Sequence, residues 1–276
     1  RYSPKSFIKE LRVGALPGEE FVEKGRDLEE GVEAAKLLVS YGYDALDTDV
    51  GSYDAWWWSH PPMYQEKGLY RPYCKLMKET VSVPIICAGR MDDPDMASQA
   101  IINGTCDMVS LGRPLLADPD YCNKLRSGRM DEIRPCISCQ EGCMGRIQEY
   151  SALNCAVNPQ ACRERYTAYT PILKPKKVMV IGGGVAGCEA ARVLAIRGHK
   201  PEVFEAKSYL GGNLIPGGAP GFKKDDIALA DWFTRQLELL EVPVHCNALV
   251  TTEMVIKGHY DAVICATGSQ PKMFSL

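Results

Sequence analysis

Hydrophobic and polar positions alternate with two different periods over the first 130 residues. In GRDLEEGVEAAKLLVSYG, Val32, Ala35, Leu38 and Val39 recur at helical spacing, and Gly42 stands just beyond them. This predicts an amphipathic helix with a glycine stop. A strand is predicted in YDALDTD. Further helices are predicted near RPYCKLMKET and in DPDMASQAIING, each leading into a short apolar strand, VPIICAG and CDMVSLG. Helices and strands taking turns imply an α/β class with a parallel sheet. From 131 to 175 the periodicity breaks into cysteine-rich loops that end in the linker-like PILKPKK. From 176 to 276 a strand, KKVMVI, a glycine loop, a helix and a strand ending VFEA follow one another. A Gly/Pro-rich loop (GGNLIPGGAPGF), a helix (ALADWFTRQLELL) and a last strand (YDAVICATG) complete the pattern.

The chain has 276 residues, 46% hydrophobic, with a net charge of -3. That composition suits one large or two medium soluble domains. The slight acidity gives no reason to invoke nucleic acid or an anionic membrane. No apolar run approaches the roughly 18 residues of a spanning helix. The composition leaves a homo-oligomer open. Twelve cysteines are present, and their clustering points to metal ligation rather than a disulfide framework. A reducing cytoplasmic setting follows. The first residue is not Met and the chain stops just past a strand, so a piece of a longer polypeptide is expected.

Cys136, Cys139, Cys143 and Cys155 lie in CISCQEGCMGRIQEYSALNC. Three close cysteines and one returning cysteine can converge on a [4Fe–4S] cube. Structural zinc and buried thiols are the alternatives. Zinc usually takes two short Cys-x-x-Cys knuckles, and the second is missing here, which favours iron–sulfur. Cys162 is the spare. Cys74, Cys87, Cys106, Cys122, Cys188, Cys246 and Cys265 are expected in the core.

Gly182, Gly184 and Gly187 form GxGxxG directly after a strand and opening a helix. The first makes the turn, the second lets the backbone approach a pyrophosphate, and the third packs helix on strand. Glu205 ends the next strand, placed to accept hydrogen bonds from ribose hydroxyls. Thr267 and Gly268 end a later strand and face the same crevice. The bland alternative is a flexible turn. Two earlier strands end alike, Gly89-Arg90 and Gly112-Arg113. Such pairs suit a phosphate at the end of a barrel, or they are merely two solvated arginines.

Together RYSPKSF, ICAGR, SLGRPLLADP, CISCQEGC with NCAVNP, and IGGGVAG with VFEA resemble the iron–sulfur flavoenzymes of the old yellow enzyme superfamily. That group includes 2-enoate reductase, 2,4-dienoyl-CoA reductase, bile-acid enoate reductases and trimethylamine dehydrogenase. The resemblance implies that 1–130 is the C-terminal part of a (β/α)8 FMN barrel. It makes 131–175 an iron–sulfur segment and linker, and 176–276 part of a Rossmann-like FAD/NAD(P) domain. It implies that Arg1 contacts the isoalloxazine end of FMN and that Gly89, Arg90, Gly112 and Arg113 hold its phosphate. Ala156, Gly184, Glu205, Asn213, Lys223 and Val250 would line the FAD site, and the four cysteines would bind the cluster. Electrons would run from NADH through FAD and the cluster to FMN. A whole barrel takes roughly 200 residues or more, so the first barrel half and the nicotinamide-binding insert are expected to lie outside this sequence.

The loop DTDVGSYDAWWWSHPPMYQEKG would face the substrate, a small unsaturated acid or acyl-CoA. Dienoyl-CoA reductases carry a Gly-Trp-His context here, whereas this chain has Gly51-Ser52-Tyr53 and His60-Pro61-Pro62, similar to the 2-enoate and bile-acid reductases. Tyr53 is the candidate acid that protonates the α-carbon. His60 is a candidate carboxylate anchor, or else a loop-stabilising residue. Of Trp56, Trp57 and Trp58, at least one is expected in the core. Asp47 and Asp49 are read as strand-end hydrogen-bonding residues. An amine dehydrogenase that cages a cation with aromatics and a non-catalytic electron-transfer fragment are the competing readings.

Overall fold

The computed structural model describes residues 28–51 and 56–269. It divides into two compact units, Arg1–Leu115 with Ser138–Gln140, and Leu116–Ile137 with Glu141–Leu276. Arg1 and Tyr53 lie outside the described residues.

In the first unit the order is α1 (Leu28–Ser40), β1 (Leu46–Thr48), α2 (Trp56–Ser59), α3 (Arg71–Thr80), β2 (Ile85–Cys87), α4 (Pro94–Ile102), β3 (Met108–Val109) and α5 (Arg113–Ala117), the last running into the second unit. The strands form a parallel sheet in the order β1-β2-β3, with Thr48 opposite Cys87 and Cys87 opposite Val109. Alternation sets the faces. Leu46, Ile85 and Cys87 point to one side and pack with Ala35, Cys74 and Met77 of α1 and α3. α4 starts where Pro94 follows Asp93, whose side chain accepts the Met96 N–H at 2.9 Å. This satisfies a donor that the helix itself cannot. Asp107, just before β3, accepts both the Lys78 ammonium at 2.6 Å and the Ile85 N–H at 2.8 Å. The Lys78 contact pulls the Asp107 carboxyl below its ordinary range.

The second unit adds α6 (Tyr121–Arg126), a 3-10 turn (Met130–Glu132), a π turn (Glu141–Gly145) and α7 (Arg146–Gln148). Then come β4 (Lys177–Ile181), α8 (Val185–Ile196), β5 (Lys200–Phe204), α9 (Leu214–Gly217), a 3-10 turn (Gly221–Lys223), α10 (Lys224–Leu239), β6 (Val244–His245), α11 (Thr252–Lys257) and β7 (Ala262–Cys265). The sheet is parallel in the order β6-β5-β4-β7. Strand order therefore reverses direction at β4, the switch point where α/β folds place ligands. Val178, Val180 and Val203 pack against Cys188 and Ala191 of α8 and Leu229, Trp232, Phe233 and Leu237 of α10.

The α/β class and the parallel sheets read from the alternation are present. Three local expectations are corrected. The Gly/Pro-rich stretch is not all loop, since it carries α9. The helix read at ALADWF begins earlier, at Lys224, with Asp225 and Asp226 in its first turn where carboxylates oppose the helix dipole. Of seven cysteines expected in the core, Cys74, Cys87, Cys106 and Cys188 are buried, Cys246 is half-buried, and Cys122 and Cys265 are exposed. Cys265 lies on β7, an edge strand among the described residues.

Candidate functional site

The first unit gathers its polar side chains at the ends of its strands. Arg113 Nη2 donates to the Pro61 carbonyl at 2.9 Å. Among the described residues its Nη1 is buried with no hydrogen-bond partner. An orphaned, buried guanidinium N–H costs about 1–3 kcal/mol or more unless an acceptor meets it. A Cβ placed on neighbouring Gly112 would meet none of the described residues within 4 Å. An open backbone beside an unanswered charged donor fits a phosphate. Gly89 is different. It sits at φ 82°, and a Cβ there would strike the Tyr70 ring. Arg90 holds the loop. Its Nη1 donates to the carbonyls of Pro62 at 3.2 Å, Met63 at 3.4 Å and Gln65.

His60 follows α2 and stacks on Trp56, ring centroids 4.5 Å apart. Gln140 Nε2 donates to the His60 carbonyl. Among the described residues His60 Nδ1 is buried without a partner. Burial, and next the Arg113 charge, hold the imidazole below its ordinary pKa, so it is neutral near pH 7. Trp58 packs on the core and Trp57 is 41% exposed. Asp49 Oδ1 accepts the Val50 N–H at 2.9 Å. Among the described residues Asp47 keeps one buried oxygen without a partner, and burial, then the Asp49 charge, raise its pKa. Tyr70 escaped the sequence reading. It is 1% exposed and donates to the Trp58 carbonyl, which fixes the end of α2. Nothing in RPYCKLM marks the preceding tyrosine for that task.

The second unit brings Gly182, Gly184, Gly187 and Glu205 together. Gly182 has φ 106°, and a Cβ there would collide with the Ala266 carbonyl. A Cβ on Gly187 would collide with the Gly182 carbonyl. Gly184 caps α8 with no side-chain bond to the first turn, so backbone donors there stay available to an anion. Gly212 approaches closely, since a Cβ on it would lie 2.9 Å from Gly184 Cα. Asn213 follows it, exposed, and caps α9. Glu205 is 8% exposed, and its carboxylate accepts the Gly183 N–H at 2.6 Å and the Lys207 N–H at 2.8 Å. The acid expected to meet ribose hydroxyls thus also shapes the glycine turn. Thr267 and Gly268 follow β7, and Thr267 N would be 3.2 Å from a Cβ on Gly182. Among the described residues no backbone hydrogen bond joins Ala156, Lys223 or Val250 to the glycine loop.

Cys136, Cys143 and Cys155 belong to the second unit and Cys139 to the Ser138–Gln140 stretch of the first. All four are half-buried and none is in a disulfide. Among the described residues no three His, Cys, Asp or Glu side chains converge to hold a single ion. Four thiols without an imidazole are the donor type that an iron–sulfur cluster takes. The two arms of the segment touch within the second unit. Asn154 N donates to the Gly142 carbonyl at 2.7 Å, and a Cβ on Gly142 would lie 2.9 Å from Cys155 Cα.

Residues 14–132 match the NADH:flavin oxidoreductase / NADH oxidase family, and residues 180–229 match the NAD(P)-binding Rossmann-like domain. The chain belongs to the flavin oxidoreductases of the old yellow enzyme group. It is 55% identical to a cinnamate reductase of Clostridium sporogenes over 276 residues, all of this chain and 42% of the relative. It is 38% identical to an NADH oxidase of Thermoanaerobacter brockii over 92% of this chain and 39% of that one. The solved structure of a 2-naphthoyl-CoA reductase in complex with 2-naphthoyl-CoA superposes with a TM-score of 0.85 at 28% identity, covering 90% of this chain and 38% of that one. Relatives named for amine dehydrogenation match at 34% and 28%. The chain therefore spans less than half the length of the curated relatives it matches. Among the described residues no helix is long and apolar enough to cross a membrane.

Proposed function

We propose that this chain is part of an NADH-dependent flavin oxidoreductase that reduces the activated C=C bond of an α,β-unsaturated acid. The observation that carries this reading is the 55% identity to a cinnamate reductase along all 276 residues. Gly112 and Arg113 hold the FMN phosphate, with Gly89 and Arg90 shaping the adjacent loop. Gly182, Gly184 and Gly187 receive the FAD pyrophosphate at the start of α8, with Glu205, Asn213, Thr267 and Gly268 around it. Cys136, Cys139, Cys143 and Cys155 bind a [4Fe–4S] cluster. When bound, these groups supply hydride and one-electron transfer.

The chain's own residues do the rest. Arg113 fixes the His60-Pro61-Pro62 loop through the Pro61 carbonyl while it binds the phosphate. His60 is neutral, and its Nδ1 has no partner among the described residues. A neutral imidazole there hydrogen-bonds a substrate carboxyl without adding a charge. Tyr53 delivers the proton to the α-carbon.

The test uses the whole polypeptide that contains this chain, purified anaerobically. It should hold about four irons and four sulfides per chain, and its reduced flavin should be reoxidised by cinnamate. Flavin reduction by dimethylamine, with no reoxidation by enoates, would replace this reading with an amine dehydrogenase. Stoichiometric zinc without acid-labile sulfide would remove the cluster.

A further inference from the structure

We infer that Arg134 is a positioning residue that closes the cysteine segment and holds its thiols in place for the metal group. The inference rests on the reading of Cys136, Cys143 and Cys155 as ligands. Arg134 stands two residues before Cys136, and its Nη1 donates to the carbonyl of Val157, two residues after Cys155, at 2.8 Å. One side chain thus ties the entry of the segment to its exit. Without that tie, the loop from Cys136 to Cys155 would be joined through Asn154 and Gly142, at 2.7 Å.

The side chain is itself held from several directions. Its guanidinium lies over the Trp232 ring at 4.4 Å. The Trp232 Nε1–H donates to the Glu132 carbonyl at 2.9 Å, on the same arm of chain. The Arg134 N–H donates to Asp118 at 2.7 Å, and Glu189 lies 3.6 Å from Nη2. Arg134 is only 6% exposed. Burying a guanidinium is costly unless its donors are answered, and here one of them is answered by the returning arm. Only a planar fork can stack flat on an indole and reach a carbonyl in its own plane. A lysine ammonium keeps the charge and cannot do both. The charged hydrogen bond sets the scale for what the tie contributes to keeping the thiols together.

The test is Arg134→Met and Arg134→Lys in the anaerobically purified full chain, with two readouts. The first is the rate of iron release to a chelator. The second, after metal removal, is the alkylation rate of each cysteine by mass spectrometry, with exposed Cys122 as internal reference. Both variants should release iron about tenfold faster than the parent. Both should alkylate Cys136 and Cys155 several-fold faster relative to Cys122, at a temperature where circular dichroism shows a native fold. Parent rates in folded variants, with only the melting temperature lowered, would overturn the inference and leave Arg134 a packing residue. If Arg134→Met fails to fold, Arg134→Lys decides alone. If the parent holds no acid-labile sulfide, the cluster reading fails, and the alkylation ratio still decides the role of Arg134.

Discussion

Replacing Arg113 with Met isolates what the strand-end site contributes to flavin binding. The side chain has two working nitrogens. Nη2 bonds the Pro61 carbonyl at 2.9 Å, and Nη1 is buried with no acceptor among the described residues. If Nη1 meets a phosphate, its loss removes one charge-assisted bond, about 1.5–3 kcal/mol. At about 1.4 kcal/mol per decade, FMN affinity should fall roughly 10- to 150-fold. Loss of the Pro61 bond loosens the loop as well, but this weakens every flavin alike. The assay therefore compares FMN with riboflavin, which lacks the phosphate, by quenching of flavin fluorescence. In the parent, FMN should bind far more tightly than riboflavin. In Arg113→Met most of that preference should vanish while riboflavin affinity changes little. Arg113→Lys should fall between them, because the charge stays and the fork is lost. An unchanged ratio of FMN to riboflavin affinity in Arg113→Met would refute the assignment of Nη1 to a phosphate.

Three further outcomes follow from the same geometry. Burial and the Arg113 charge depress the His60 pKa, so its NMR titration midpoint should lie below about 6.5 and move up in Arg113→Met. The folded protein then binds this proton less readily than the unfolded chain, so His60 should lower stability as pH falls from about 6.5 through its folded pKa. His60→Asn should flatten that part of a melting-temperature profile. Glu205→Ala should leave the buried Gly183 N–H without its acceptor, at about 1–3 kcal/mol, and remove the Lys207 N–H bond as well, so it should lower the melting temperature more than Glu205→Gln does. Gly187→Ala should abolish adenine-nucleotide binding or folding of the second unit, because its Cβ would occupy the Gly182 carbonyl. Gly217→Ala, with nothing within 4 Å, should be neutral in thermal melts.

Much of this arrangement was legible in the residues because it rests on periodicity and on glycine. The helices expected over GRDLEEGVEAAKLLVSYG, RPYCKLMKET and DPDMASQAIING are each present in the first unit. Gly182 and Gly187 were recognisable because no larger residue fits where β4 turns into α8. Burial was less legible at cysteine, a residue that is small and apolar enough to sit on either face. Cys122 and Cys188 read alike, yet one is exposed and the other buried. The start of α10 was misplaced because KDDI reads as polar loop, although acids in a first turn are stabilised by the helix dipole.

What the sequence conceals most completely is the work of arginine on backbone carbonyls. Arg90 bonds the carbonyls of Pro62, Met63 and Gln65, Arg113 that of Pro61, and Arg134 that of Val157. A motif can show a charged donor beside a glycine, as Gly89-Arg90 and Gly112-Arg113 do. It cannot show the acceptor, because every residue carries a carbonyl and only the fold decides which one arrives. This is why two Gly-Arg pairs that look alike divide their labour. Arg90 sends Nη1 into the loop 62–65, whereas Arg113 spends one nitrogen on the loop and leaves Nη1 unanswered. The unanswered nitrogen marks where a ligand is to be sought, and the answered ones mark what holds the site in shape. Arg134 carries no glycine beside it and so gave no signal, yet its bond spans the segment that holds Cys136, Cys143 and Cys155 in the second unit.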